Sequence, residues 1–152
     1  MENPIKLIHR FNQQAGLLDR DYDDALESSF QIEEALEGFQ SLSELGKLFH
    51  LTPAESTPKQ LSRDIVATAH NRNHPISDVE RLDKACDAVV FAVGSMAKLG
   101  LNPQQITKAL NVVMQANLAK LGMPRDSHGK LIKPADFQGP EPSLQQILDE
   151  RT

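Results

Sequence analysis

The sequence predicts an all-α protein, and three observations predict it. Strand-like alternation is scarce, helix-starting signals recur along the chain, and a glycine follows several of the apolar periods. Ile5 to Gln14 reads as a short helix with Ile5, Ile8 and Phe11 inward, ended by Gly16. A longer helix is expected from about Arg20 to Leu48, with Asp21, Asp23 and Asp24 favourably placed in its first turns. Thr52-Pro53 and Thr57-Pro58 both read as a cap followed by proline at the first helical position. The second opens a helix carrying Leu61, Ile65 and Ala69, which stops near the polar stretch from His70 to Pro75.

Ser77-Asp78-Val79-Glu80 fits a capping box that launches a helix to about Leu99. From Ala85 to Ala97 that helix is apolar nearly all round, as expected of a helix buried among others, and Gly100 ends it. Cys86 is expected to pack there as a small hydrophobe. Asn102-Pro103 caps a helix over about 103–121, with Ile106, Leu110, Val113 and Met114 inward and Gly122 at its close. Beyond Pro124 the chain is rich in proline and glycine and reads as irregular, with a last short helix over Ser143 to Glu150. The expectation is one domain over residues 1–152, a bundle of four to five helices with 135–152 as a peripheral C-terminal segment.

Composition narrows the function classes. A net charge of −5 with one Tyr and no Trp argues against a nucleic-acid surface, which wants basic patches and aromatic platforms. The single cysteine excludes an internal disulfide framework and a cysteine-rich zinc site. No apolar run reaches the ~18 residues of a membrane helix, no signal peptide is seen, and a cytoplasmic location is expected.

The run Glu33-Glu34-Ala35-Leu36-Glu37 sets acids on an apolar helix face. Counted from Glu33, Glu37 lies at about 40° and Glu34 at about 100°, while Leu26 and Phe30 lie at about 20° and 60°. Charges on a core face are costly unless paired or bound to a metal. Asp83 and Asp87, four apart on the later helix, form a second acidic set on an apolar face. Oxygen-only donors favour Mg²⁺ or Mn²⁺. Against this stands the plainer reading of solvated acids and a first-turn aspartate favoured by the helix dipole.

Lys120, Arg125, His128, Lys130 and Lys133 give an acidic protein a local basic excess, and Gly129 permits a tight turn among them. A phosphate-binding segment or a solvated basic tail would look alike at this stage. Asn117 shares the apolar face of Leu110, Val113 and Met114. The His70/His74 pair has metal-ligand spacing but lies in an Asn-rich, proline-terminated stretch, and is read as loop.

These motifs resemble the MazG-like all-α nucleoside triphosphate pyrophosphohydrolases, especially the phosphoribosyl-ATP pyrophosphohydrolase-like branch. Glu33, Glu34 and Glu37 match the EExxE motif; Asp83 to Asp87, with the apolar run to Gly94, match the second acidic helix. Asn117 to Lys120, His128-Gly129-Lys130 and Lys133-Pro134 look like the branch's C-terminal signature. Two departures stand out. Lys84 occupies the position of the family's usual glutamate, so Asp83 would have to supply that carboxylate. The stretch between the acidic helices is also long, and the helix near 58–70 reads as an insertion covering the substrate or building a subunit contact.

The resemblance implies Mg²⁺-dependent hydrolysis of a nucleoside triphosphate to the monophosphate and pyrophosphate. Glu34, Glu37, Asp83 and Asp87 would be metal ligands, with Glu33 a further ligand or the group orienting water; Glu33 and Glu34 are both candidates for the base. Lys120, Lys130 and Lys133 would hold phosphates and Asn117 the nucleotide or the metal shell. A homodimer or higher homo-oligomer is implied. The competing expectation is a non-catalytic helical module that binds a nucleotide or a protein.

Overall fold

The computed structural model describes residues 1–69, 76–127 and 131–151. Helices account for all the regular structure in them: α1 (Pro4–Gln14), α2 (Asp24–Leu36), α3 (Ser43–Lys47), α4 (Pro58–Ala69), α5 (Asp78–Lys98), α6 (Pro103–Leu121) and α7 (Glu141–Asp149). The one β-type pairing described is an isolated bridge between Arg125 and Leu131. The chain divides into two compact units, Asp21–Ile76 and a second made of Met1–Arg20 with Ser77–Thr152.

In the larger unit, α1, α5 and α7 each pack on α6. Leu101, Ile106, Ala109 and Ile147 form its core, with Met96, Leu110, Val112, Leu144 and Leu148 packed around them. Ile147, in the segment expected to be peripheral, is only 1% exposed. Met114 is buried as expected, and Val113 is half-buried. On α1 the inward residue is Leu7, fully buried, whereas Ile5 is exposed. Ile5 lies about 200° round the helix from Leu7, so both cannot face α6.

Local chemistry sets these boundaries. The Ser77 hydroxyl accepts the Glu80 N–H while the Glu80 carboxylate accepts the Ser77 N–H, the expected capping box. Asn102 and Gln105 make the same reciprocal pair ahead of α6, with Pro103 in its first turn. Gly100, between α5 and α6, sits at φ +87, a conformation that side chains resist.

The smaller unit is built on α2 against α4. Leu36 and Leu61 are its buried apolar residues, joined by Ser29 and Ser62, whose hydroxyls donate to the carbonyls of Leu26 and Lys59. Burying two such leucines contributes roughly 1.5–3 kcal/mol each. The expected helix from Arg20 to Leu48 is instead two helices. Asp23 caps the first, its carboxylate accepting the N–H groups of Ala25 and Leu26. It ends at Leu36, and α3 begins at Ser43 with Leu42 as its N-cap and no side-chain cap bond. Thr52-Pro53 opens a turn rather than a helix. There the Glu55 carboxylate accepts the Thr52 N–H at 2.7 Å. That bond, and then one with the Thr52 hydroxyl, holds the Glu55 carboxyl below the usual carboxylate range. Thr57-Pro58 does open α4, where the Thr57 hydroxyl accepts the Gln60 N–H.

No single helix among the described residues is long and apolar enough to cross a membrane. Only α5 and α6 taken together reach that composition, and they are bent by 112° to one another.

Candidate acid and base cavity

One turn-by-turn stripe of α2 carries Leu26, Ser29, Phe30, Glu33 and Glu34, the spacing that puts residues on a single helix face. Facing it, α4 presents Lys59 and Arg63, four apart and therefore on one face as well. Together these seven residues line a cavity of about 290 Å³ within the smaller unit. Two apolar side chains, a serine, two carboxylates and two cations make up its lining.

The burial differs from expectation. The acidic face of α2 is apolar but open: Leu26 and Phe30 are 42% and 53% exposed, Glu34 and Glu37 are exposed, and Glu33 is half-buried. The desolvation cost argued from a core-facing stripe therefore falls away, because water reaches these carboxylates. Their charges are nonetheless unspent. Among the described residues no ion pair joins Glu33 or Glu34 to Lys59 or Arg63. The acid of α4 itself, Asp64, is held by the Gln60 side chain, whose amide donates to both carboxylate oxygens.

Of the expected site residues, Glu33 and Glu34 meet in this cavity. Glu37 is the residue that follows the last turn of α2, is exposed and does not line the cavity. Asp83 and Asp87 belong to α5, in the larger unit, and both are exposed. The surroundings of Asp83 and Asp87 correct the expected burial of α5: none of its residues is buried, Val79 is 78% exposed and Phe91 76%. Cys86 is exposed too, not packed. Helical periodicity finds an apolar face, but it does not say what covers that face. Among the described residues no group of three or more His, Cys, Asp or Glu is placed to hold a metal ion.

The basic segment is partly assembled. The half-buried Lys120 ammonium donates to the Asn117 side-chain oxygen at 3.4 Å, as their three-residue spacing on α6 allows. The exposed Lys133 places its ammonium 5.6 Å from the centre of the Phe137 ring, a cation–π contact. Lys130, His128 and Gly129, like His70 and His74, lie outside the described residues.

Lys59 and Arg63 are the cavity residues that sequence reasoning missed. Their signal was present as an i, i+4 basic pair on a helix with a clear start, but nothing local revealed that α4 faces the acids of α2. A larger cavity, about 750 Å³, lies between α6 and the segment around Phe137. It contains none of the expected site residues, and its one lysine, Lys108, is paired with Glu150 at 3.1 Å. Comparison with known proteins gives no match: no family model, no curated protein and no solved structure matches this chain.

Proposed function

We propose that the chain is a Mg²⁺-dependent nucleoside triphosphate pyrophosphohydrolase of the MazG-like kind, with Glu33 and Glu34 at its catalytic centre. The observation that carries this reading is the cavity that these two carboxylates line together with Lys59 and Arg63. The donor set fits the metal. Mg²⁺ commonly takes only one or two protein carboxylates, keeps several waters and completes its shell with substrate phosphates. A bound Mg²⁺ would neutralise charge on the phosphate oxygens, which is most of what phosphoryl transfer requires.

The protein's own groups do the rest. One of Glu33 and Glu34 would hold the metal and the other would orient a water molecule toward phosphorus. Water is added across the α,β-phosphoanhydride, giving the monophosphate and pyrophosphate. The resemblance implies that Lys120 would hold a phosphate and Asn117 the nucleotide or the metal shell; the two side chains are in contact on α6. It also implies phosphate roles for Lys130 and Lys133 and metal-ligand roles for Glu37, Asp83 and Asp87; Glu37, Asp83 and Asp87 do not line this cavity, and the present reading rests on Glu33 and Glu34. A homodimer or higher homo-oligomer is implied by the resemblance as well, and the exposed apolar residues of α5 supply a surface that such an assembly would bury.

The test is pyrophosphate release from a panel of ribo- and deoxyribonucleoside triphosphates, with Mg²⁺ and with a chelator. Turnover of at least one triphosphate is expected, lost with the chelator and reduced at least a hundredfold by Glu34→Gln. If no triphosphate is cleaved by the folded protein, the chain is a non-catalytic binding module instead.

A further inference from the structure

We infer that Lys59 and Arg63 form the phosphate-binding wall of the acidic cavity, gripping the polyphosphate chain of a metal-chelated nucleotide. The inference rests on reading this cavity as a metal–phosphate site, and it assigns the anion-binding role to residues of α4.

Here the exposed Lys59 and Arg63 line the same cavity as the half-buried Glu33 and the exposed Glu34, and among the described residues no ion pair joins the two pairs. The acids stand on α2 and the cations on α4. Ser29 and Leu36 of α2 and Leu61 and Ser62 of α4 are buried in this unit, and they fix the backbones that carry the charges. Leu61 and Ser62, both at 0% exposure, sit between Lys59 and Arg63 in sequence and so anchor the stretch that carries the cations.

A cavity with separated charges of both signs selects a ligand that also carries both. A free anion would meet two carboxylates, and a free cation would meet a lysine and an arginine. A divalent cation chelated by a polyphosphate satisfies both sides, its metal toward the acids and its non-bridging oxygens toward the bases. Arginine offers a planar fork that matches two phosphate oxygens, and lysine adds a movable point charge. A volume of about 290 Å³ suits a short phosphate chain rather than a whole nucleotide, so the nucleoside is expected to project outward. Leu26 and Phe30, which also line the cavity and are 42% and 53% exposed, offer apolar surface for it.

The experiment is calorimetric titration of the full chain with inorganic tripolyphosphate, with and without Mg²⁺, for the native sequence and for Lys59→Gln, Arg63→Gln and Arg63→Lys. Far-UV circular dichroism and the melting temperature report whether each variant is folded. Tripolyphosphate should bind more tightly with Mg²⁺ than without it. Each glutamine variant should weaken binding roughly tenfold or more, with Arg63→Lys falling between. Mg²⁺ affinity in the absence of phosphate should not weaken in these variants, because they remove only positive charge.

Unchanged tripolyphosphate affinity in both glutamine variants would overturn the inference. So would a lowered melting temperature without a binding change, which would mark the two cations as counter-charges for the glutamates. No tripolyphosphate binding by the native chain would overturn it as well. The enzymatic reading fails separately: if tripolyphosphate binds through Lys59 and Arg63 while no triphosphate is cleaved, the wall stands and catalysis does not.

Discussion

Gly46 shows how closely the smaller unit is assembled around α4. It is buried in α3, and a Cβ built on it would collide with the side chain of Ser56. Ser56 has little freedom to retreat, because it is buried and its hydroxyl donates to the Thr52 carbonyl at 2.8 Å. That residue stands two positions before α4 begins, so a displaced Ser56 would shift the start of the helix that carries Lys59 and Arg63. Gly46→Ala is therefore expected to destabilise the protein by about 1–3 kcal/mol, against the usual gain of alanine over glycine in a helix. Thermal or urea unfolding would measure the loss. A cycle with Ser56→Gly should recover part of it through a positive coupling. If Gly46→Ala unfolds like the native chain, the close approach is not a constraint.

Elements differ in how much of them is written locally. The capping pairs Ser77/Glu80 and Asn102/Gln105 lie within a few residues of the turns they start, so α5 and α6 begin where sequence alone places them. The split of the long N-terminal helix into α2 and α3 was less visible. The chain leaves the helix after Glu37 and resumes it at Ser43, but the acids and leucines on either side keep a helical period running past the stop. Facing relations were not legible at all. The carboxylates of α2 were identifiable by their spacing, whereas the cations opposite them belong to another helix, and single-helix periodicity cannot supply that pairing. The acids of α5 test the remaining part of the sequence expectation. Asp87→Asn is expected to abolish Mg²⁺-dependent turnover while changing stability by no more than about 0.5 kcal/mol, since the side chain is exposed. Turnover assays alongside circular dichroism would decide it, and retained activity would remove Asp87 from the site.

For the whole molecule, the open question is what meets the apolar stripe of α5. Val79, Leu82, Cys86, Val89 and Val93 follow one another at alternating steps of three and four, the spacing of a helix seam that packs against another helix. All five are exposed; Leu82 is 66% and Val89 59% exposed. An unbroken apolar stripe of this kind marks an interaction surface rather than the scatter of single hydrophobes normal on a protein. A second copy of the chain is the expected occupant, in keeping with the homodimer implied by the resemblance, and an isologous contact would set the stripe against itself. Asp83 and Asp87 border the seam, so the same assembly would bring the acids of α5 to its edge. Light scattering after size exclusion should then give a dimer or larger assembly at micromolar concentration. Val89→Glu should shift it to the monomer, because two like charges would be buried face to face without partners. A native chain that is monomeric under these conditions would sink the idea and leave the stripe to a different partner.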